Sequence, residues 1–226
     1  SVNNLIQNRT LQLGSAFGNT GYFGIPVSLA LLPDHALIYS IGFDLGATLV
    51  IWSLGPILLT DPSKVLSSNR YWKNFIKGIF SSPAVKGLIG ALIIHSSPWD
   101  EQITDLLWIP SRVVIVLALV IVGMRLSWLR KANLSRIKNQ ITSIKNALIM
   151  KLVGLPVIML IISSAIRLPS VMREALVLQA AAPTAISILL ISQAASRDEK
   201  EATSLVVFST ITALISIPAW LLILRL

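Results

Sequence analysis

Gly14-Ser15-Ala16-Phe17-Gly18-Asn19-Thr20-Gly21-Tyr22-Phe23-Gly24-Ile25-Pro26-Val27-Ser28-Leu29-Ala30-Leu31-Leu32 holds no charged residue and is apolar enough to cross a bilayer, yet it carries a proline in its interior. Proline lacks a backbone N–H and its ring clashes with the preceding turn, so Gly24-Ile25-Pro26 is expected to interrupt a helix over 11–32. Lipid cannot satisfy the freed carbonyls. Such a break persists only where protein or a water-filled cavity covers it, so the run points to a membrane protein with a site at its centre.

A second run, Gln179-Ala180-Ala181-Ala182-Pro183-Thr184-Ala185, repeats the arrangement inside an apolar stretch over 172–194. After the first break the next span ends with Gly55-Pro56, thirty residues beyond Pro26; after the second, Ile217-Pro218 lies thirty-five beyond Pro183. The surplus of five falls in the loop, where Ser196 to Lys200 is longer than Pro33 to His35. Paired, similarly broken spans in two halves of a chain are the mark of an inverted-repeat transporter.

The whole chain suits that setting. It is 54% apolar and only 13% charged, with a mean hydropathy of +0.75, against about 25% charged residues in soluble domains. At about 20 residues per crossing, seven spans are expected, at 11–32, 36–59, 83–95, 106–126, 147–167, 172–194 and 203–224. The fold class is therefore all-α integral membrane protein, in one membrane domain.

The net charge of +9 belongs to the connections. Lys64, Arg70, Lys73, Lys77 and Lys86 follow the second span and Arg130, Lys131, Arg136, Lys138 and Lys145 the fourth, whereas Pro33 to His35 and Ser96 to Asp105 carry no Lys or Arg. The positive-inside rule places the 60–82 and 127–146 connections in the cytoplasm and the C-terminus outside. A basic chain of this kind reads as topology rather than as a nucleic-acid binder. Within the first connection, Trp72, Phe75, Ile76, Ile79 and Phe80 at helical spacing beside Lys73 and Lys77 predict an interfacial helix.

Each break starts a new half-helix, whose free amides carry about half a positive charge. Entering from opposite sides, the two segments are expected to aim both positive ends at one midplane point, which suits a carboxylate or another anion. The alternative is that each proline merely kinks a packed helix.

At this point the residues resemble a known family. Gly18-Asn19-Thr20-Gly21-Tyr22-Phe23-Gly24-Ile25-Pro26 is similar to the first crossover motif of the auxin efflux carrier family, which includes malonate-transporter-like bacterial permeases. Gln179 to Ala185 resembles the second crossover. Phe208-Ser209-Thr210 with Ile217-Pro218 resembles the final helix, and a Pro110 to Leu126 span ending in Gly123-Met124-Arg125-Leu126 also fits. The resemblance implies ten helices in two inverted five-helix repeats, with substrate where the fourth and ninth cross. Residues 1–59 would then be the last two helices of the first repeat, 60–82 the cytoplasmic connection and 83–226 the second repeat, with three helices absent before Ser1.

Substrate-binding candidates are Asn19, Thr20, Tyr22 and Pro26 at the first crossover, with Gln179, Pro183 and Thr184 at the second and Ser187 one turn on. Helix capping, bonding back to the own helix and ordinary helix–helix hydrogen bonds are the alternatives. Asp44 is the one carboxylate well inside a span, roughly 12 Å from its outer end at about 1.5 Å per residue. An acid at such depth is functional by default, either in proton coupling or in pairing with a cation such as Arg112; a neutral structural acid is the alternative. Arg112 near the outer end of its span is equally suited to snorkelling.

The function expected is secondary transport of a small organic anion such as a carboxylate by alternating access, as a permease or efflux carrier of a bacterial plasma membrane. The short connections suggest the bacterial setting. A non-transporting remnant or partial segment of such a carrier is the alternative. The chain has no Cys, only His35 and His95, and no HExxH, GxSxG or Walker-type loop, so no enzyme, metal or cofactor is expected. Partners expected are the lipid bilayer and the substrate, with protons and a second copy of the chain as further candidates. A channel would need charged rings or a repeated filter.

Overall fold

The computed structural model describes residues 6, 8–59, 76, 79–80, 83–126 and 134–226. These are helical, without a strand among them. Among the described residues, ten α-helices follow in chain order: α1 (Arg9–Ala16), α2 (Ile25–Leu31), α3 (Leu37–Leu59), α4 (Pro83–His95), α5 (Asp100–Leu126), α6 (Leu134–Ile149), α7 (Leu155–Ala165), α8 (Ser170–Ala181), α9 (Ile186–Ala194) and α10 (Glu199–Leu224).

Among the described residues, three segments are long and apolar enough to cross a membrane by length and composition: Asp34–Gly55, Gln140–Ala165 and Glu199–Leu224. The stretches over 11–32 and 172–194 are each split into two short helices, α1 with α2 and α8 with α9. The fifth expected span begins earlier than residue 147, because α6 runs into it from Leu134. The fourth likewise starts at Asp100 rather than 106. Of the expected interfacial helix, Tyr71 to Phe75, Lys77 and Gly78 lie outside the described residues.

The first break is not where the proline suggested. The chain leaves the helix at Phe17 (φ −105°, ψ 128°) and re-enters it at Asn19, seven residues before Pro26. Pro26 sits at the second position of α2, where its missing N–H costs little. Between the break and α2 runs one wide turn, Thr20–Gly24, in which the Ile25 N–H reaches back five residues to the Thr20 carbonyl.

An identical device precedes α7. The turn Met150–Gly154 closes with the Leu155 N–H on the Met150 carbonyl, and Pro156 follows. Gly24-Ile25-Pro26 and Gly154-Leu155-Pro156 thus both place a proline just after a π-turn. Widening the turn moves the carbonyls that the proline ring would otherwise strike.

Pro156 leaves the Leu152 carbonyl without its α-helical donor, and the Trp220 indole N–H of α10 supplies one at 2.9 Å. Trp220 also belongs to the core cluster of Phe23, Leu152, Val177, Leu178 and Ala213 that joins α7, α8 and α10. Trp220→Phe keeps most of the ring and removes the donor. It is expected to lower stability by about 1–3 kcal/mol, read as a fall in the melting midpoint of the purified protein in detergent.

The ends of the elements are tied across the chain. Arg197, in the loop after α9, donates to the Leu59 carbonyl at the C-terminus of α3 at 3.3 Å. Arg225, after α10, donates to the Leu31 carbonyl at the C-terminus of α2 at 3.1 Å. Since α3 is 23 residues long, or about 34 Å, these two ties lie at opposite ends of the molecule.

Candidate functional site

The two breaks meet. Gly18 and Thr184 form an isolated antiparallel bridge, in which the Asn19 N–H donates to the Pro183 carbonyl at 2.6 Å and the Ala185 N–H to the Phe17 carbonyl at 3.0 Å. Backbone groups that each helix loses at its break are thereby satisfied by the other, as a buried backbone requires.

The helix ends that point into the crossing from the N-terminal side are capped by side chains. Thr184 Oγ1 donates to the Gly14 carbonyl at 3.0 Å, and Lys151 Nζ donates to the Ala180 carbonyl at 2.9 Å. Gly14 precedes Gly18 by four residues and Ala180 precedes Thr184 by four, so the two caps sit at matching places. The Thr184 N–H itself donates to Ser209 Oγ at 3.0 Å.

Lys151 is 1% exposed and escaped the reading of the sequence. Its signal was present: a lysine in the first third of the apolar run over 147–167, where a charge needs a partner. Its partner is the negative end of α8. A Cβ on Gly18 would lie 3.0 Å from Lys151 Nζ and 3.3 Å from the Ala182 carbonyl, so a glycine lets the bridge and the lysine approach each other.

Beside the bridge lies a cavity of about 620 Å³. Both re-starting helix ends line it, the first through Thr20, Gly21 and Tyr22 and the second through Ile186 and Ser187. Asn19, Pro26 and Asp44 face it, and Phe17, Ile51, Trp52 and Leu190 supply apolar wall. Asn19 is 5% exposed and its side chain makes no cap hydrogen bond. Tyr22 is 56% exposed.

The expected site residues thus divide into two groups. Asn19, Thr20, Tyr22, Pro26 and Asp44 line the cavity. Gln179, Pro183 and Thr184 are fully buried at the crossing and do not line it. Gln179 Nε2 donates to Ser28 Oγ at 3.3 Å, which also accepts from Ser40 Oγ at 2.9 Å, while Gln179 Oε1 has no partner.

Asp44 and Arg112 are not paired with each other. Asp44 Oδ1 accepts a 2.6 Å hydrogen bond from Thr20 Oγ1, and a Cβ on Gly21 would lie 3.1 Å from the same oxygen. Arg112 instead stacks over the Trp108 ring, 4.6 Å from its centroid. No group of His, Cys, Asp or Glu suited to a metal ion occurs among the described residues.

Against known proteins, the sequence profile of one family, described as membrane transport protein, matches residues 4–221. No curated protein and no solved structure matches the chain.

Proposed function

Because this chain belongs to the membrane transport protein family, that of the auxin efflux carriers, we propose that it is a secondary transporter of a small organic anion, working by alternating access. The observation that carries this reading is the crossing itself: two broken helices bridged at Gly18 and Thr184, with both re-starting ends lining one cavity. Helix N-termini attract anions, and the opposite ends are occupied by Thr184 and Lys151. An inverted repeat of seven crossings fits the matched caps and the two arginine ties, which join the Ser196 to Lys200 loop to Leu59 and the C-terminus to Leu31; in this reading the first pair is cytoplasmic and the second outside.

In this reading Asn19, Thr20, Tyr22 and Pro26 contact substrate, and Gln179, Pro183 and Thr184 hold the crossing in place behind them. The setting is a bacterial plasma membrane.

The test is uptake of labelled carboxylates by proteoliposomes. Uptake above that of empty vesicles is expected, with Asn19→Ala reducing it at least about tenfold, the equivalent of one buried polar contact to a charged ligand. Retained uptake in a folded Asn19→Ala protein would move the site away from the crossing.

A further inference from the structure

Resting on the organic-anion reading above, we propose that Asp44 is a charge selector that makes the cavity take singly charged acids with an apolar body and reject doubly charged ones. Two helix ends face the cavity, and one of them is already served by the chain's own carboxylate. Asp44 bonds the Thr20 hydroxyl at 2.6 Å, and the bare backbone of Gly21 lets it come against the first turn of that helix. The open end is that of α9, at Ile186 and Ser187, and the buried Asn19, whose side chain makes no cap hydrogen bond, lines the same cavity.

Among the described residues, the rest of the wall offers no cationic side chain to a second negative charge. Asp44 is the one charged side chain among the described residues that line the cavity. Lys151 sits against Gly18 but is buried and directed to the Ala180 carbonyl. A dianion seated by one carboxylate on α9 would hold its second against Phe17 and Trp52, or toward Asp44. The first loses hydration without replacement, and the second sets like charges together.

The matched probes are 3-phenylpropanoate and benzylmalonate, which share an aromatic body and differ by one carboxylate. Their affinities for the purified protein in detergent, by titration calorimetry at pH 7.5, are expected to differ by at least about tenfold in favour of 3-phenylpropanoate, the scale of like-charge rejection at a binding site. Asp44→Asn keeps an acceptor for Thr20 and removes the charge, so it is expected to tighten benzylmalonate and bring the two within about threefold, while Asp44→Glu preserves the gap.

Equal or tighter binding of benzylmalonate by the unaltered protein overturns the proposal, as does an unchanged gap in Asp44→Asn. Asp44→Ser is the second neutral variant should Asp44→Asn not fold, and the comparison on the unaltered protein needs neither. Binding of neither acid overturns the organic-anion reading itself rather than the role of Asp44.

Discussion

Gly24→Ala is expected to destabilise the protein by about 1–3 kcal/mol, or roughly 2–12 °C in melting midpoint for a chain of this size. The reason is the Gln179 amide, whose oxygen and carbon occupy the space where a Cβ on Gly24 would be built. An exposed amide would swing away at little cost. Gln179 is fully buried and held by Ser28, so the methyl either strains the contact, about 1–3 kcal/mol for an overpacked core, or breaks a buried hydrogen bond of similar worth. Gly42→Ala, where nothing lies within 4 Å of the added carbon, is the control and is expected to be neutral or slightly stabilising. In a Gln179→Ala background the cost of Gly24→Ala is expected to shrink, since the obstacle is gone; an undiminished cost would place the strain elsewhere.

Lys151→Ala is the second large effect, about 2–5 kcal/mol, the usual result of emptying a fully buried long side chain. Two contributions are distinguishable. The stem fills space beside the crossing, and the ammonium caps the Ala180 carbonyl. Lys151→Met retains most of the volume and loses the cap, but it also relieves the burden of a desolvated charge. It is therefore expected to cost less, about 1–3 kcal/mol. Both are read from tryptophan fluorescence during thermal unfolding in detergent. A methionine variant as unstable as the alanine one would assign the effect to the charge rather than to the stem.

What the sequence disclosed followed from local rules. Long apolar runs with basic connections declared the all-helical membrane class, and Ala182-Pro183 marked the second break correctly, because the chain leaves the helix at Ala182. At the first break the same rule misplaced the event. Pro26 is compatible with the first turn of a helix, and the interruption falls at Phe17 to Asn19, where glycine and asparagine are poor helix formers. The π-turns before Pro26 and Pro156 depend on how the surroundings receive a proline, which a list of residues does not state. Asn19, Thr20, Tyr22 and Asp44 were legible as polar groups in an apolar setting, and the structure brings them to one cavity. That Gln179 and Thr184 sit behind it rather than in it depends on helix rotation about the bridge. Lys151 stands alone among apolar neighbours in its run, and the cost of a charge at that depth is the signal that marks it.

The bridge between Gly18 and Thr184 also dictates when the protein can be finished. Its partners are 166 residues apart, so at synthesis rates of about 5–20 residues per second the backbone of the first break waits roughly ten to thirty seconds for its complement to be made. Through that interval the Asn19 amide and the Phe17 carbonyl lack the mates they have in the final fold, and lipid offers none. The first broken helix therefore needs to be sheltered by water or by the insertion machinery until the second arrives, and its final packing waits on the synthesis of residues 183–185.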